Sequence, residues 1–367
     1  MTVARSLANY RLVVCLGPGG VGKTTFSAAL ALQAAVSGRT VDVMTIDPAP
    51  RLIDALGLRD DAAKPRAIDL TELSPRAGGE LRASRLDPKQ TFDELVTRHA
   101  PSPAAREAIL SGRIYQNLSN ALAGVADYMA MERLLAIYRE VSPELVVLDT
   151  PPAQEALDFL DAPRRMLELM SSRAVALLSA SRNLMRTRLG LLDLAARAVL
   201  AAFDRLTGLH LLSDVQAFVS SFDGMYEGFE ERAAAAAGLL RDPTTAIVLV
   251  TMATQDRIEQ ALEFVAALHE RGLPLAAVVV NRLTDNVPDA AAILHNNLPA
   301  VLQRKLRRNL GELAALKQRE HLAFDRLRQS LPSEVWIIGA KDLAGEPRSL
   351  RELAAFAASF EQENAKS

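Results

Sequence analysis

A glycine-rich stretch near the N-terminus carries the residue types best suited to chemistry. It reads Gly17-Pro18-Gly19-Gly20-Val21-Gly22-Lys23-Thr24-Thr25. Its glycines, lysine and threonine fit every fixed position of the G-x-x-x-x-G-K-[ST] pattern of phosphate-binding loops. Glycines let main-chain N–H groups approach phosphate oxygens, the lysine reaches the β- and γ-phosphates, and the threonine hydroxyl ligates Mg²⁺. The stretch therefore predicts a site for a nucleoside triphosphate with Mg²⁺.

The elements on either side of this loop are the ones that such a site requires. An apolar run, 12–16, precedes the loop and predicts a buried strand, and an alanine-rich run, 25–36, predicts a helix. The helix aims the positive end of its dipole at the bound anion. The residues expected to contact the nucleotide here are Gly17, Gly19, Gly20, Val21, Gly22, Lys23, Thr24 and Thr25.

Two aspartates follow predicted strands further along the chain. Asp47 ends the strand 41–46, and Asp149 ends the apolar strand 145–148. Open α/β sheets bind their ligands beyond the carboxyl ends of the strands, so both carboxylates are expected near the loop. Asp149 is the expected partner of Mg²⁺. For Asp47 the alternative is a cap of the short apolar segment 52–58.

Strands and helices alternate over most of the chain. This rhythm predicts an α/β fold with a mainly parallel, doubly wound sheet and an inserted α-helical subdomain. The core of the phosphate-binding-loop (P-loop) ATPase type is assigned to 8–88, 143–160 and 243–360, and the helical subdomain to 89–142 and 161–242. Residues 361–367 are expected to form a polar tail.

The second part of the insertion is basic and amphipathic. Residues 163–205 contain eight arginines, no lysine and three acidic residues. Apolar residues recur there with the spacing of one helix face: Met185, Leu189, Leu192, Ala196, Val199, Phe203 and Leu206. One interpretation is a helix packed on its own core. The other is a surface for a hydrophobic client helix or a membrane.

Composition excludes several classes of protein. The 367 residues carry a net charge of −2, which gives no indication of a nucleic-acid partner. The one cysteine, Cys15, lies in a predicted strand, and the five histidines are scattered, so no zinc is expected. No apolar run is long enough to cross a membrane. The expected location is the cytoplasm, with peripheral membrane association as an alternative.

Taken in order, the motifs resemble a known family. The loop 17–25, Asp47-Pro48-Ala49, Asp149-Thr150-Pro151-Pro152 and Asn281 resemble the arsenical-pump and tail-anchored-protein-targeting ATPases, relatives of the MinD and ParA nucleotide switches. The likeness covers most of the chain and extends to the segment 156–163, which is similar to bacterial members. It implies a dimeric ATPase that uses ATP/ADP and Mg²⁺.

The resemblance also assigns roles to individual positions. Asp47 resembles the first switch carboxylate, which orients the attacking water, and Asp149 resembles the second, which supports magnesium. Asn281 resembles the residue that hydrogen-bonds adenine, and the segment 339–346 resembles the loop over the purine. The expected sets are catalytic Lys23 and Asp47; metal-binding Thr24, Asp47 and Asp149; and, besides the loop, nucleotide-binding Asn281, Arg282 and Gly339.

The chain departs from the family pattern at several positions. Pro18 stands where the family has a signature lysine, which crosses the dimer interface to the partner's nucleotide. The arsenite-binding cysteines and the Cys-x-x-Cys zinc site are absent. The second switch reads Ala153-Gln154-Glu155 instead of Thr-Gly-His. Two kinds of dimer are therefore expected: a homodimer, or a heterodimer with a paralogue that carries the lysine.

Three functions remain open. The first is an ATP-driven switch that captures and releases a hydrophobic protein segment or a membrane surface. The second, motivated by Pro18, is a nucleotide-binding scaffold with little turnover. The third is a ParA-like positioning ATPase, which the near-neutral charge disfavours.

Overall fold

A computed structural model describes residues 7, 9–58, 63–73, 78–112, 123–170, 225–284, 299–343 and 345–364. These residues divide into two compact units. The sheet unit comprises Met1–Leu86, Glu140–Ala156 and Leu240–Ser367, and the helical unit comprises Asp87–Arg139 and Leu157–Leu239. The apolar face expected between 185 and 206 lies outside the described residues.

The sheet unit is built on a nine-stranded sheet with the order β3-β4-β2-β5-β1-β6-β7-β8-β9. The strands are β1 (Leu12–Leu16), β2 (Thr40–Thr45), β3 (Arg66–Ala67), β4 (Glu80–Arg85), β5 (Leu145–Asp149), β6 (Thr245–Met252), β7 (Leu275–Leu283), β8 (Trp336–Lys341) and β9 (Glu361–Asn364). All pairings from β4 to β8 are parallel, and only the outermost pairings are antiparallel. This confirms the predicted α/β class with a mainly parallel sheet.

Among the described residues, five helices lie wholly in the sheet unit: α1 (Lys23–Val36), α2 (Arg51–Ala55), α8 (Gln255–Glu270), α9 (Ala300–Ser330) and α10 (Leu350–Ala358). Every residue of β1 and of β5 is buried, as expected for strands covered on both faces. Helix α10 packs on α1. Phe360, which follows α10, links the two helices, because its ring centroid lies 5.3 Å from that of Phe26 in α1 and 5.0 Å from that of Phe356 in α10. This packing fixes α1, and with it the glycine loop.

The last strand differs from the expected polar tail. Residues 361–364 pair with β8 in antiparallel register, Gly339 opposite Glu361 and Trp336 opposite Asn364. The pairing uses main-chain groups, so a polar edge strand gives no apolar pattern by which to recognise it. The tail assignment is therefore corrected for these four residues.

The helical unit contains α3 (Pro88–His99), α4 (Pro103–Leu110), α5 (Ala123–Ala136) and α7 (Tyr226–Leu239), and α6 (Ala153–Met170) runs across the boundary between the units. A π-helical turn, Ile137–Val141, follows α5. Asp87 caps α3 by accepting a hydrogen bond from the Gln90 N–H, and the proline that follows it occupies the first helical position. Among the described helices, none is both long enough and apolar enough to span a membrane.

Candidate functional site

The glycine loop leaves β1 at the centre of the sheet, where the order of the strands reverses direction. Gly17 has φ +147°, and a Cβ there would lie 2.1 Å from the carbonyl oxygen of Val250, so no side chain fits. Gly22, just before α1, has φ +91° and belongs to the left-handed region that glycine adopts readily. These two glycines turn the chain from the strand into a helix whose N-terminus faces the loop.

Lys23 is folded back onto the loop that precedes it. Its ammonium group donates hydrogen bonds to the carbonyl oxygens of Gly17 and Pro18, both at 2.9 Å. The residue is only 7% exposed, and burial lowers the pKa of its ammonium. The carbonyls take two of the three N–H donors, so Lys23 lies at the loop as a largely desolvated cation.

Asp149 ends β5 and lies completely buried beside the first turn of α1. Its Oδ2 accepts hydrogen bonds from the hydroxyls of Thr24 and Thr45, both at 2.9 Å. Its Oδ1 is buried and makes no hydrogen bond within the described part of the chain. Burial, the largest cause, raises the pKa of this carboxyl to about 6.

These groups fit a hard divalent cation. Mg²⁺ takes oxygen ligands and usually retains several waters, so one or two protein oxygens suffice. The unpartnered Oδ1 of Asp149 and the adjacent hydroxyl of Thr24 supply such oxygens at the end of the loop. Within the described residues, no group of three or more histidines, cysteines and acidic residues is placed to hold a metal ion. The donors present therefore fit Mg²⁺ held partly through water and phosphate.

Asp47 lies at the end of β2 and lines the same cavity as Lys23 and Thr24. Its Oδ1 accepts a hydrogen bond from the Ala49 N–H at 2.9 Å, which closes a tight turn. It is not the helix cap weighed as the alternative, because Pro50 holds the N-cap position of α2. One of its two carboxylate oxygens is thus used to shape the turn.

Asn281 and Arg282 lie at the end of β7, next to the loop in space. The Asn281 Nδ2 donates to the carbonyl oxygen of Val21 at 2.8 Å, and its Oδ1 accepts from the Arg282 N–H at 2.8 Å. The side chain is buried. Arg282 has φ +58°, a conformation that bulky residues rarely adopt.

A cavity of about 730 Å³ lies beside the glycine loop. The predicted site residues that line it are Gly19, Gly20, Gly22, Lys23, Thr24, Thr25, Asp47, Asn281 and Arg282. Gly17, Val21 and Asp149 are not among its lining residues. Gly339 lies within β8, opposite Val280 and Glu361, and the lining on that side begins instead at Lys341 and continues to Arg348.

Two side chains near the site were not predicted from the sequence. Thr45 lies opposite Asp149 in the register of β2 and β5, so its hydroxyl can bond the carboxylate. Arg85, at the end of β4, donates from NH1 to the carbonyl oxygen of Pro48 at 2.9 Å and so tethers the turn after Asp47. Polar residues at the ends of parallel strands are the signal that points to both.

Comparison with known proteins identifies the family. A family model described as anion-transporting ATPase matches residues 10–301. Similar relatives include ATPase GET3 of Chaetomium globosum, 32% identical over 155 residues, and ATPase get3 of Neurospora crassa, 30% identical over 155 residues. In Podospora anserina, ATPase GET3 is 31% identical over 157 residues.

The matched segment covers 42% of this chain and 43% of each of these relatives. The family match is broader, since it spans most of the chain and includes the loop, both aspartates and Asn281. The resemblance drawn from the motifs is thereby confirmed. The chain belongs to the anion-transporting ATPase family.

Proposed function

We propose that this chain binds Mg·ATP in the cavity beside the glycine loop and hydrolyses it to ADP and phosphate. The observation that carries the proposal is the buried, unpartnered Oδ1 of Asp149 beside the Thr24 hydroxyl at the end of that loop. A buried carboxylate oxygen without a partner is costly, and a cation or its bound water would relieve that cost. Thr24 and Asp149 would hold the Mg²⁺, which would supply positive charge to neutralise the phosphates.

The loop and Lys23 hold the phosphates. Main-chain N–H groups of 19–25 and the N-terminus of α1 face the anion, and the ammonium of Lys23 supplies a full positive charge. When phosphate binds, Lys23 gives up its hydrogen bonds to the carbonyls of Gly17 and Pro18 and donates to phosphate oxygens instead. The buried ammonium thus keeps its hydrogen-bond partners. Its role is to stabilise the charge on the transferred phosphoryl group.

Asp47 positions the attacking water. Its Oδ1 is held by the Ala49 N–H, and the Pro48 carbonyl is held by Arg85, so the turn presents the carboxylate in a fixed direction. Phosphoryl transfer requires little covalent chemistry from the protein and depends on placing water in line with the phosphate. Asp47 therefore orients the water and accepts its proton.

The purine has its own part of the lining. Lys341, Leu343 and the stretch from Gly345 to Arg348 line the cavity together with Arg282. An apolar side chain with nearby main-chain groups suits a base, and cations suit the ribose and α-phosphate. We assign this part of the lining to adenine and propose that Asn281, which also lines the cavity, contacts the base.

Nucleotide state is expected to act through the turns after Asp47 and Asp149. Asp149 ends β5, which pairs with β1, and Asp47 follows β2, the next strand beyond β5. A γ-phosphate bound at the loop would contact both turns, and its loss would release them. We assign the helical residues 89–142 and 161–242 as the part that captures and releases a hydrophobic protein segment or a membrane surface. This role resembles tail-anchored-protein targeting and places the protein in the cytoplasm, with peripheral contact to a membrane.

The state of assembly follows from Pro18. Proline carries no charge, so this chain has no signature lysine at position 18 to offer a partner's nucleotide. A heterodimer with a paralogue that carries the lysine supplies the missing charge to this chain's site. A homodimer lacks this charge in both of its sites. In that case the second candidate function applies, which is a nucleotide-binding scaffold with little turnover.

The test uses the purified full chain. Calorimetry should show ATP binding that Mg²⁺ strengthens and that Lys23→Ala abolishes, because the substitution removes the charge facing the phosphates. Lys64→Ala is the matched control, since Lys64 is exposed and outside the residues that line the cavity. Unchanged ATP affinity in Lys23→Ala would overturn the assignment. Single-turnover hydrolysis of radiolabelled ATP then separates the switch ATPase from the scaffold.

A further inference from the structure

Asn281 is bonded at both ends of its amide to the main chain. Its Nδ2 faces the Val21 carbonyl and its Oδ1 faces the Arg282 N–H, each at 2.8 Å. A donor faces an acceptor at one end and an acceptor faces a donor at the other, so the orientation of the amide is fixed. Position 281 thus joins the end of β7 to a loop residue 260 positions earlier in the chain.

The contact with Val21 determines the direction of one peptide group in the loop. In a planar trans peptide the C=O and the following N–H point in opposite directions, and the structure contains no cis peptide among its described residues. With the Val21 oxygen held by Asn281, the Gly22 N–H must point away from Asn281. Phosphate-binding loops work by turning such N–H groups toward the anion.

The fit between Asn281 and Gly22 leaves no freedom for the loop to shift toward β7. A Cβ on Gly22 would lie 2.2 Å from the Asn281 Nδ2, so the amide occupies the space of a side chain. Gly22 has φ +91° and directly precedes Lys23, the first residue of α1. Asn281 therefore supports the loop at the residue where it passes into the helix.

We propose that Asn281 is a positioning residue of the phosphate loop, in addition to any contact it makes with the base. It holds the 21–22 peptide in the orientation that binds phosphate, so its loss weakens phosphate binding whether or not a base is present. The proposal rests on the proposed nucleotide site. If Asn281 only bound adenine, its loss would weaken the binding of ligands that carry a base. The proposal predicts in addition that a ligand without a base binds more weakly when Asn281 is replaced.

The probes are ATP and inorganic tripolyphosphate, both with Mg²⁺, and the variants are Asn281→Asp and Asn281→Ala in the full chain. Asn281→Asp keeps the shape and the acceptor for the Arg282 N–H, but places an oxygen against the Val21 carbonyl. The matched control is Asn309→Asp, which makes the same chemical change at an exposed position of α9.

Both Asn281 variants should lose affinity for ATP and for tripolyphosphate by a similar factor. That factor is about fivefold or more, the scale of one buried neutral hydrogen bond. Asn309→Asp should bind both ligands as the wild type does. If ATP affinity falls while tripolyphosphate affinity is unchanged, Asn281 reads only the base and the proposal is wrong. Unchanged affinity for both ligands would overturn it equally.

A measurement on the wild type covers the case in which the variants do not fold. Hydrogen exchange should show that tripolyphosphate alone protects the Arg282 amide, because ordering the loop also orders the Asn281 side chain that accepts from it. Protection by ATP but not by tripolyphosphate would contradict the proposal. A wild type that binds neither ligand would instead disprove the nucleotide site itself.

Discussion

The hydroxyl of Thr24 donates a hydrogen bond to the Oδ2 of Asp149 at 2.9 Å, across 125 positions of sequence. This bond joins the first turn of α1 to the end of β5. Thr45 adds a second donor to the same oxygen. Both donors bond the same oxygen, so Oδ1 is the oxygen that we propose as the ligand of a cation.

The pH dependence of stability should report on Asp149. Its pKa is raised from 3.8 to about 6 by burial, so between these values the folded chain holds a proton that the unfolded chain has lost. Stability from this group is therefore greatest below the window and falls as pH rises through 6. In EDTA, we expect the wild type to gain about 1 kcal/mol over Asp149→Asn between pH 7.5 and pH 5.

Urea unfolding at the two pH values measures this difference. Other carboxyls contribute equally to both proteins, so only the change in the difference matters. An identical pH slope in the wild type and in Asp149→Asn would show that this carboxyl titrates normally.

Asp47→Asn should preserve ATP binding and reduce turnover by at least about 10²-fold, the lower end for a positioned acid–base group. The amide keeps the acceptor for the Ala49 N–H, so the turn is maintained while the negative charge is lost. Asp54→Asn makes the same chemical change at another carboxylate that lines the cavity and is the matched control. Equal turnover in wild type and Asp47→Asn would limit Asp47 to its structural turn.

Pro18 predicts weak ATPase activity for this chain alone and a rise when a lysine-bearing paralogue is added. Arg51 is the cation that can substitute within the chain, since it lines the cavity and contributes to lowering the pKa of Lys23. Arg51→Ala should then abolish the residual activity, whereas Arg66→Ala, on an exposed edge strand, should not. Full activity of a homodimer that Arg51→Ala leaves intact would show that neither cation is needed.

The basic, apolar segment of the insertion should be tested directly, since it lies outside the described residues. Replacing Leu192, Val199 and Phe203 by serine should impair capture of a hydrophobic helix or of anionic vesicles and leave ATP binding intact. Loss of folded structure in this variant, seen by circular dichroism, would show instead that these side chains form a core.

The helical unit contains a buried ion pair whose loss should be severe. Arg232 Nε donates to both carboxylate oxygens of Glu132, and the two side chains are 14% and 6% exposed. Arg232→Leu leaves the Glu132 charge buried without a cation, which should cost about 3–5 kcal/mol. The loss of stability is measured by urea unfolding followed by circular dichroism of the helices. Tryptophan fluorescence is not used, because the one tryptophan, Trp336, lies in the sheet unit.

The control for that experiment is Arg308→Leu on α9. Arg308 is 80% exposed and pairs with an exposed Glu312, so its removal should change stability by less than about 1 kcal/mol. Similar losses in the two variants would indicate that the Glu132 carboxylate is solvated or protonated when Arg232 is gone.

The sequence predicted the parts of the site that local pattern controls. Local sequence is enough to recognise the loop motif, the apolar strands and the aspartates at the ends of those strands. Their positions could therefore be predicted from the sequence alone. The pairing of Thr45 with Asp149 depends on the register between β2 and β5, which no local pattern encodes. The bond from Asn281 to Val21 depends on how far β7 extends toward the loop, and it too required the structure.

The only thiol of the chain is unreactive in the folded protein. Cys15 lies in the central strand β1 with no exposed surface, and burial raises its pKa to about 12. Thiolates are the species that alkylating reagents and oxidants attack, so the folded protein resists both. A cysteine introduced at an exposed position such as Leu322 will therefore be the one thiol that a labelling reagent modifies. Site-specific labels can thus be attached without first replacing Cys15.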